Sequence, residues 1–281
     1  MPNRFLLEFR GKSLCTHDAL LCSNHRPAAS SIPWAVHGNL LPVRQRGVPA
    51  MLKISQAPEE QAGSRLMVWW DGDGAAPVLA HDGEALLMVR AQGSVSLTQM
   101  VKQGRDDEAT HILCTTASHL HRPRAEPIPA MVTLTQWFDS LLSSTGMHGR
   151  FFDHCARTAR ELLGTPRDVT VLHGDIHHGN VLDFERYGWL AIDPKGLYGE
   201  RCFDYANLFC NPDGESALAP GVFARRIELV STVSRIERRR LLQWVFAWAG
   251  LSTVWMLEDG DDAGSTLEVG KLAASALGIV D

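Results

Sequence analysis

Three histidines, one aspartate and one asparagine occur within the ten residues VLHGDIHHGN, positions 171–180. A hydrolytic zinc centre needs ligands whose spacing lets them converge on one ion, with an open position for water. His173, Asp175, His177 and His178 match neither the HExxH nor the HxHxDH spacing. A metal-dependent hydrolase and a purely structural loop are therefore the weaker alternatives for this stretch.

The same stretch has the residue spacing of a phosphoryl-transfer site. In the pattern H-x-D-x-x-x-x-N, the aspartate takes or orients the proton of an acceptor hydroxyl, and the asparagine binds magnesium. Asp175 and Asn180 stand at these two positions. A hairpin over 181–192 would bring Asp193 to the same end as Asn180. Because Mg²⁺ prefers oxygen ligands, the sequence predicts that Asn180 and Asp193 bind this metal.

Phosphoryl transfer also requires a cation that holds the phosphates from the other side of the cleft. Lys53 ends the second of two short predicted strands, and Glu60 lies in the predicted helix that follows Pro58. In the kinase pattern such a lysine binds the phosphates and a helix glutamate orients it. Lys53 and Glu60 have the required order, with Glu59 as a substitute for Glu60.

The elements that must position these residues change in type along the chain. Short apolar runs separated by turns predict a small sheet with one helix up to residue 90, and longer helical patterns follow. We therefore predict an α+β fold with an N-terminal lobe, 1–90, in which 1–36 is atypical, and a C-terminal lobe, 91–281. The predicted strands are 40–44, 50–54, 76–80, 85–89, 169–172, 181–184 and 189–192, and the predicted helices are 59–70, 97–102, 106–122, 134–144 and 151–163, with more from 207 onward.

Composition narrows the classes of partner. The 281 residues are 45% apolar and 21% charged with a net charge of −5, which indicates a globular enzyme and disfavours nucleic acid as a partner. The six cysteines form no CxxC pair and the first residues form no apolar signal segment, so a cytoplasmic location is expected.

The uncharged stretch Leu241–Leu257 is short for a membrane span and is predicted to be a buried helix, so no membrane partner is expected. The basic run 235–240 is expected to be a solvated helix face.

Five segments together resemble a known family, the aminoglycoside and hydroxyurea antibiotic resistance kinases, which include streptomycin 6-phosphotransferases. The resemblance covers about Leu40 to Leu257. It implies a protein-kinase-like two-lobed fold with a small β-rich N-lobe, a larger mainly helical C-lobe, and ATP with Mg²⁺ as cofactors. The segments are PAMLK (49–53), WWDGDGAAPVLA (69–80), LLMVRAQG (86–93), LHGDIHHGNVL (172–182) and WLAIDPKGLYGERCFDYANLFCNP (189–212).

The resemblance also implies where the nucleotide binds. Backbone groups of Val89 and Ala91 would meet the adenine at the hinge between the lobes. Family members cover the phosphates with a loop near the N-terminus, and because residues 1–36 are unlike that element, Gly38 and Asn39 are the remaining candidates. This departure leaves a second hypothesis open, a nucleotide-binding pseudokinase with an impaired N-lobe.

Three residues that follow Asp193 are expected to support the site. Arg201 and Asp204 are expected to brace the catalytic loop through charged hydrogen bonds. Lys195 is equally consistent with a phosphate contact and with an exposed surface lysine.

The implied reaction moves the γ-phosphoryl group of ATP to a hydroxyl of a small molecule, an aminoglycoside such as streptomycin, or hydroxyurea. Aminoglycosides are polycations, so carboxylates are expected in the substrate pocket. Glu200, Glu258 and Asp259 are the candidates. The alternative for the 258–262 group is an ordinary solvated acidic face.

Overall fold

The N-terminal part of the chain forms a six-stranded antiparallel sheet. The computed structural model describes residues 6–9, 12–15 and 39–279, with side chains described from residue 40. The strand order is β2-β1-β3-β4-β6-β5. The strands are β1 (Leu6–Phe9), β2 (Lys12–Cys15), β3 (Asn39–Gln45), β4 (Val48–Ile54), β5 (Val78–Asp82) and β6 (Ala85–Val89).

Strand β4 lies in the interior of this sheet, because it pairs with both β3 and β6. The turn before it uses Arg46 and Gly47 at φ 50° and 81°, which suits a tight hairpin. Successive side chains of a strand point to opposite faces. Ala50, Leu52 and Ile54 therefore pack into the small sheet core, and Lys53 is buried on the other face.

Two strands occur in the region that the sequence patterns left without an element. β1 and β2 form a hairpin, and Glu8 of β1 pairs with Arg44 of β3. These eight positions of the segment 1–36 therefore form strands, although the sequence patterns assign no element to them.

A helix of 13 residues follows strand β4 in the chain. Helix α1 (Pro58–Trp70) begins with proline at its first position and acidic residues in its first turn, both of which favour a helix N-terminus. It ends at Asp71 in the left-handed conformation. Its buried face carries Glu60, Gly63 and Leu66, so a charged side chain and a residue without a Cβ both face inward.

The remainder of the chain is mainly helical. The apolar stretch 241–257 lies in a helix whose residues from Leu241 to Val254 are largely buried, as predicted. No helix in the described part of the chain is long and apolar enough to cross a membrane. The predicted helix 134–144 is divided at Phe138. The helices are α2 (Leu97–Lys102), α3 (Asp106–Leu120), α4 (Leu134–Trp137), α5 (Asp139–Ser143), α6 (Arg150–Gly164), α7 (Gly214–Ala217), α8 (Val222–Ser234), α9 (Arg238–Asp259) and α10 (Gly264–Leu277).

Two small sheets position the 171–200 region. A hairpin of β9 (Val181–Asp183) and β10 (Trp189–Ala191) forms as predicted, turned by a 3-10 segment. Strand β11 (Leu197–Glu200), which the sequence patterns did not predict, pairs with β8 (Val169–Leu172) and β7 (Val132–Thr133). The α+β prediction is confirmed, whereas a lobe boundary at residue 90 stays a prediction.

Candidate active site

Asp204 holds the backbone of the loop 173–180. Its carboxylate accepts hydrogen bonds from the N–H groups of His173 at 2.9 Å and Gly174 at 2.7 Å. His121 lies 2.8 Å from the same carboxylate through Nε2. Gly174 has φ +86°, a conformation that glycine adopts without a steric penalty. Asp204 therefore holds the loop through hydrogen bonds, as expected. Arg201 does not contact the loop, because its guanidinium bonds to Asp168 and to the Ser234 carbonyl.

Two amide side chains hold the carboxylate of Asp175. Asn180 Nδ2 lies 3.2 Å from Oδ2, and Asn207 Nδ2 lies 2.6 Å from Oδ1. Asn211 donates in turn to Asn207 Oδ1 at 2.9 Å. The Asp175 side chain keeps 26% of its surface exposed, so the carboxylate is fixed yet accessible.

Asn207 was missed by the sequence reasoning. Its signal is the D-x-x-N spacing from Asp204, since residues three apart in a helical turn lie on the same side.

The predicted phosphate-side residues lie together. Lys53 forms ion pairs with both Glu60 and Asp193. Asp193 has φ +58°, an uncommon conformation for a residue other than glycine. Burial alone would raise the pKa of Asp193, but nearby positive groups, Lys53 first among them, together outweigh it and hold that pKa below its usual range. The Ile192 N–H donates to the Asn180 carbonyl at 2.9 Å. The hairpin of β9 and β10 therefore brings the chain next to Asp193 and the chain at Asn180 to the same end, as predicted.

Helix α1 packs directly on the segment that carries Asp193. A Cβ placed on Gly63 would lie 2.0 Å from the Pro194 carbonyl oxygen, a distance that real atoms do not reach. At the end of the helix, Trp70 stacks on His173 with ring centroids 6.1 Å apart. The helix that carries Glu60 is therefore fixed against both the loop and the Asp193 segment.

The three histidines of the loop do not converge. His173 is buried, its Nε2 lies 2.8 Å from the Ile192 carbonyl, and burial lowers its pKa. His178 is buried, and this lowers its pKa to about 3. His177 accepts a hydrogen bond from the Gly179 N–H at 3.1 Å. Within the described residues, no group of three or more His, Cys, Asp or Glu is placed to hold a metal ion, so the geometry does not support a histidine-based hydrolase.

The predicted hinge residues follow strand β6. The Val89 N–H donates to the Pro77 carbonyl at 2.9 Å, so this N–H is already bonded within the protein. Ala91 lies after the strand and its carbonyl accepts a hydrogen bond from Gln92. Asn39 is the first residue of β3. Gly38 lies outside the described residues.

A cavity of about 440 Å³ opens beside Asp175, and we call it the tryptophan cavity. Trp137 and Trp255 meet edge to face with ring centroids 5.2 Å apart. Asp213 supplies a second carboxylate and lies 3.6 Å from Lys102. The lining residues are Trp137, Gly174, Asp175, Lys195, Asn207, Cys210, Asn211, Asp213, Gly214, Trp248, Ser252, Trp255, Met256, Ser265 and Thr266.

The assignment of Glu200 to the substrate pocket is corrected by the structure. Glu200 is buried and accepts hydrogen bonds from Arg240 Nε at 2.8 Å and Nη2 at 2.5 Å. The N–H of Arg167 donates to the same carboxylate at 3.0 Å. Arg240 is itself buried, so the basic run 235–240 is not entirely a solvated face.

The other two acidic candidates are exposed. Glu258 and Asp259 end helix α9 and lie outside the described lining of the tryptophan cavity. The sequence signal for the actual lining was the spacing of Trp248, Ser252 and Trp255, which places them on one side of α9. A substrate role for Glu258 and Asp259 stays a prediction.

The sheet with its lysine–glutamate pair and the Asp175 loop beside a cavity define a protein-kinase-like phosphotransferase. A choline/ethanolamine kinase family protein from Mesorhizobium loti has this fold, with a TM-score of 0.62 at 18% identity, covering 93% of this chain and 94% of that one. The chain belongs to the aminoglycoside/hydroxyurea antibiotic resistance kinase family, whose profile matches residues 27–260.

Two curated relatives are similar over most of their length. A streptomycin 3''-kinase from Klebsiella pneumoniae is 50% identical over 226 residues, which is 79% of this chain and 85% of that protein. A streptomycin 6-kinase from Streptomyces griseus is 34% identical over 234 residues, 78% of this chain and 74% of that protein. The family resemblance expected from the sequence is confirmed.

Proposed function

We propose that this chain transfers the γ-phosphoryl group of ATP to a hydroxyl of streptomycin. The observation that carries the proposal is the placement of Asp175. Two amides hold this carboxylate, and it lines the tryptophan cavity together with Lys195, which contacts the same Glu60 as Lys53. The 3''-hydroxyl is the favoured acceptor, because the relative named for that position is 50% identical. Hydroxyurea is the smaller alternative acceptor.

The residues present fit a magnesium-nucleotide complex. Asn180 donates through Nδ2 to Asp175, so its Oδ1 is the atom that would bind the metal, and Asp193 contributes carboxylate oxygens. Both are ligands that Mg²⁺ prefers. Bound Mg²⁺ would neutralise phosphate charge. Lys53 would bind the phosphates while Glu60 orients it, and the Val89 carbonyl and Ala91 backbone would contact the adenine.

Asp175 would act on the acceptor. Its carboxylate accepts the hydroxyl proton or orients it, and Asn207 keeps one carboxylate oxygen in place. Phosphoryl transfer depends mainly on positioning and on charge neutralisation, and the site supplies both without a covalent intermediate.

The tryptophan cavity matches the chemistry of the acceptor. Streptomycin carries planar guanidinium groups, and such cations stack on tryptophan faces with about 0.5–2 kcal/mol of stabilisation. Asp213 adds a carboxylate at the same cavity. This combination favours a guanidinium-bearing aminoglycoside over one that carries only ammonium groups.

The test is ADP release from magnesium-ATP over a panel of streptomycin, kanamycin and hydroxyurea, with phosphorus NMR of the product. Asp175→Asn should lower kcat by about 100-fold or more, within the range for loss of a general base, and leave nucleotide binding intact. Asp107→Asn, an exposed carboxylate on α3, is the matched control. Nucleotide binding without turnover on any acceptor would refute the proposal and favour a pseudokinase.

A further inference from the structure

Lys195 lies between the Lys53 ion pairs and the tryptophan cavity. Its backbone N–H donates to the His173 carbonyl at 2.7 Å, which fixes the residue against the loop 173–180. A Cβ on Gly174 would lie 3.1 Å from the Lys195 Cβ, so the side chain starts directly above the loop. The side chain lines the tryptophan cavity together with Asp175. Lys195 is therefore not an isolated surface lysine.

The Lys195 ammonium is charged and only loosely paired. Its Nζ lies 3.4 Å from Glu60 Oε1, and 24% of its side chain is exposed. A charged group with one long contact can move toward a stronger anion at low cost.

The neighbouring lysine, Lys53, is assigned to the nucleotide phosphates and does not line the tryptophan cavity. Lys53 contacts both Glu60 and Asp193. Among the cavity-lining residues that the structure describes, Lys195 is the only basic one. In phosphoryl transfer the negative charge spreads over three equatorial oxygens, so a cation on the acceptor side stabilises the transition state.

We infer that Lys195 is a further catalytic residue, whose ammonium moves from Glu60 to the oxygens of the phosphoryl group as this group passes from ATP to the acceptor. The inference rests on the proposed function. In this step the bond from the γ-phosphorus to the bridging oxygen of ADP breaks, and a bond to the acceptor oxygen forms. The hydroxyl proton goes to Asp175, and Lys195 keeps its own protons.

The first test compares three variants with streptomycin as acceptor. Lys195→Met removes the charge at similar length, Lys195→Arg keeps it, and Lys271→Met changes an exposed lysine that pairs with Glu268. Loss of one transition-state contact predicts that Lys195→Met lowers kcat by about 100-fold, with the Kd for magnesium-ATP changed by less than about threefold. Lys195→Arg should recover part of kcat, and Lys271→Met should match the parent.

A second test separates this role from simple bracing of Glu60. If Lys195 acted only by orienting Glu60, Lys195→Met would have no effect in a Glu60→Gln background. Direct contact with the phosphoryl group predicts the same fold-loss of kcat in both backgrounds. Disappearance of the loss in the Glu60→Gln background would overturn the inference.

A third measurement needs no acceptor and so distinguishes failure of the inference from failure of the proposed function. Aluminium fluoride is a planar mimic of the phosphoryl group in transfer. The parent protein should bind magnesium-ADP more tightly in its presence, and Lys195→Met should lose that gain while still binding magnesium-ADP. Equal tightening in both proteins, or none in the parent, would refute the role of Lys195. Absence of streptomycin turnover in the parent would refute the proposed function alone.

Discussion

Replacement of Glu200 by glutamine should destabilise the protein without weakening acceptor binding. Glu200 accepts three hydrogen bonds, two from Arg240 and one from the Arg167 N–H. The Glu200 hydrogen bond also raises the pKa of Arg240, so the arginine remains charged. Glutamine keeps one acceptor oxygen but directs an amide N–H₂ toward the guanidinium. The variant therefore leaves a buried charge without its partner.

The expected loss follows from that geometry. Breaking a buried ion pair by removal of one partner costs about 3–5 kcal/mol. Arg240 retains contacts with the carbonyls of Leu162 and Thr165, which places the loss near the lower end, about 3 kcal/mol. At roughly 2–4 °C per kcal/mol for chains of this size, Tm should fall by about 6 °C or more.

The assay pairs thermal and urea unfolding with steady-state kinetics. Glu215→Gln, at an exposed position of α7, is the matched control and should melt like the parent. The opposite result would contradict this reasoning. If Glu200→Gln melts within about 1 °C of the parent and its KM for streptomycin rises about tenfold, the carboxylate serves the substrate.

Three further variants probe the packing, the acid stability and the cavity. Gly63→Ala should lower kcat and Tm together, because the added methyl group would meet the Pro194 carbonyl and such overpacking costs about 1–3 kcal/mol of stability. Steady-state kinetics and thermal melting of this variant measure the two losses. His178 has a folded-state pKa of about 3 and an ordinary value of 6.5, so the unfolded chain binds the extra proton and stability falls as pH drops from 6.5 toward 3. His178→Leu should lessen the fall in urea midpoint between pH 7 and pH 5, and an unchanged fall would contradict this. Asp213→Asn should raise KM for streptomycin by about three- to tenfold with kcat retained, since it removes a charged contact to a cation, and an unchanged KM would contradict this.

The placement of the candidate site residues was predictable where the chain itself sets the geometry. Asp175 and Asn180 share one short loop, and Lys53 and Glu60 are joined by a single turn between a strand and a helix. Period-two and helical patterns are reliable over such distances. The same template predicts that Lys53 and Asp193 serve one cleft, and the two residues are in contact although they are 140 positions apart.

The lining of the tryptophan cavity was less predictable, because the charge of a residue does not reveal whether it pairs with another residue or faces a ligand. Glu200 has a basic partner 40 residues away, and neither residue shows locally that it is buried. Glu258 and Asp259 belong to an acidic cluster, yet residues of α9 about one to three turns earlier line the cavity. The aromatic and polar residues on one face of α9 therefore indicate the pocket better than the acidic run does.

The segment 193–196 links the nucleotide side of the site to the acceptor side. Asp193 contacts Lys53, Pro194 lies against Gly63, and Lys195 contacts Glu60. A shift of α1 that separated Glu60 from Lys53 would therefore also change the position of Lys195 at the cavity. Because one rigid contact at Gly63 controls both lysines, a larger residue there should impair nucleotide binding and acceptor turnover together, whereas a change at Lys195 should affect turnover alone.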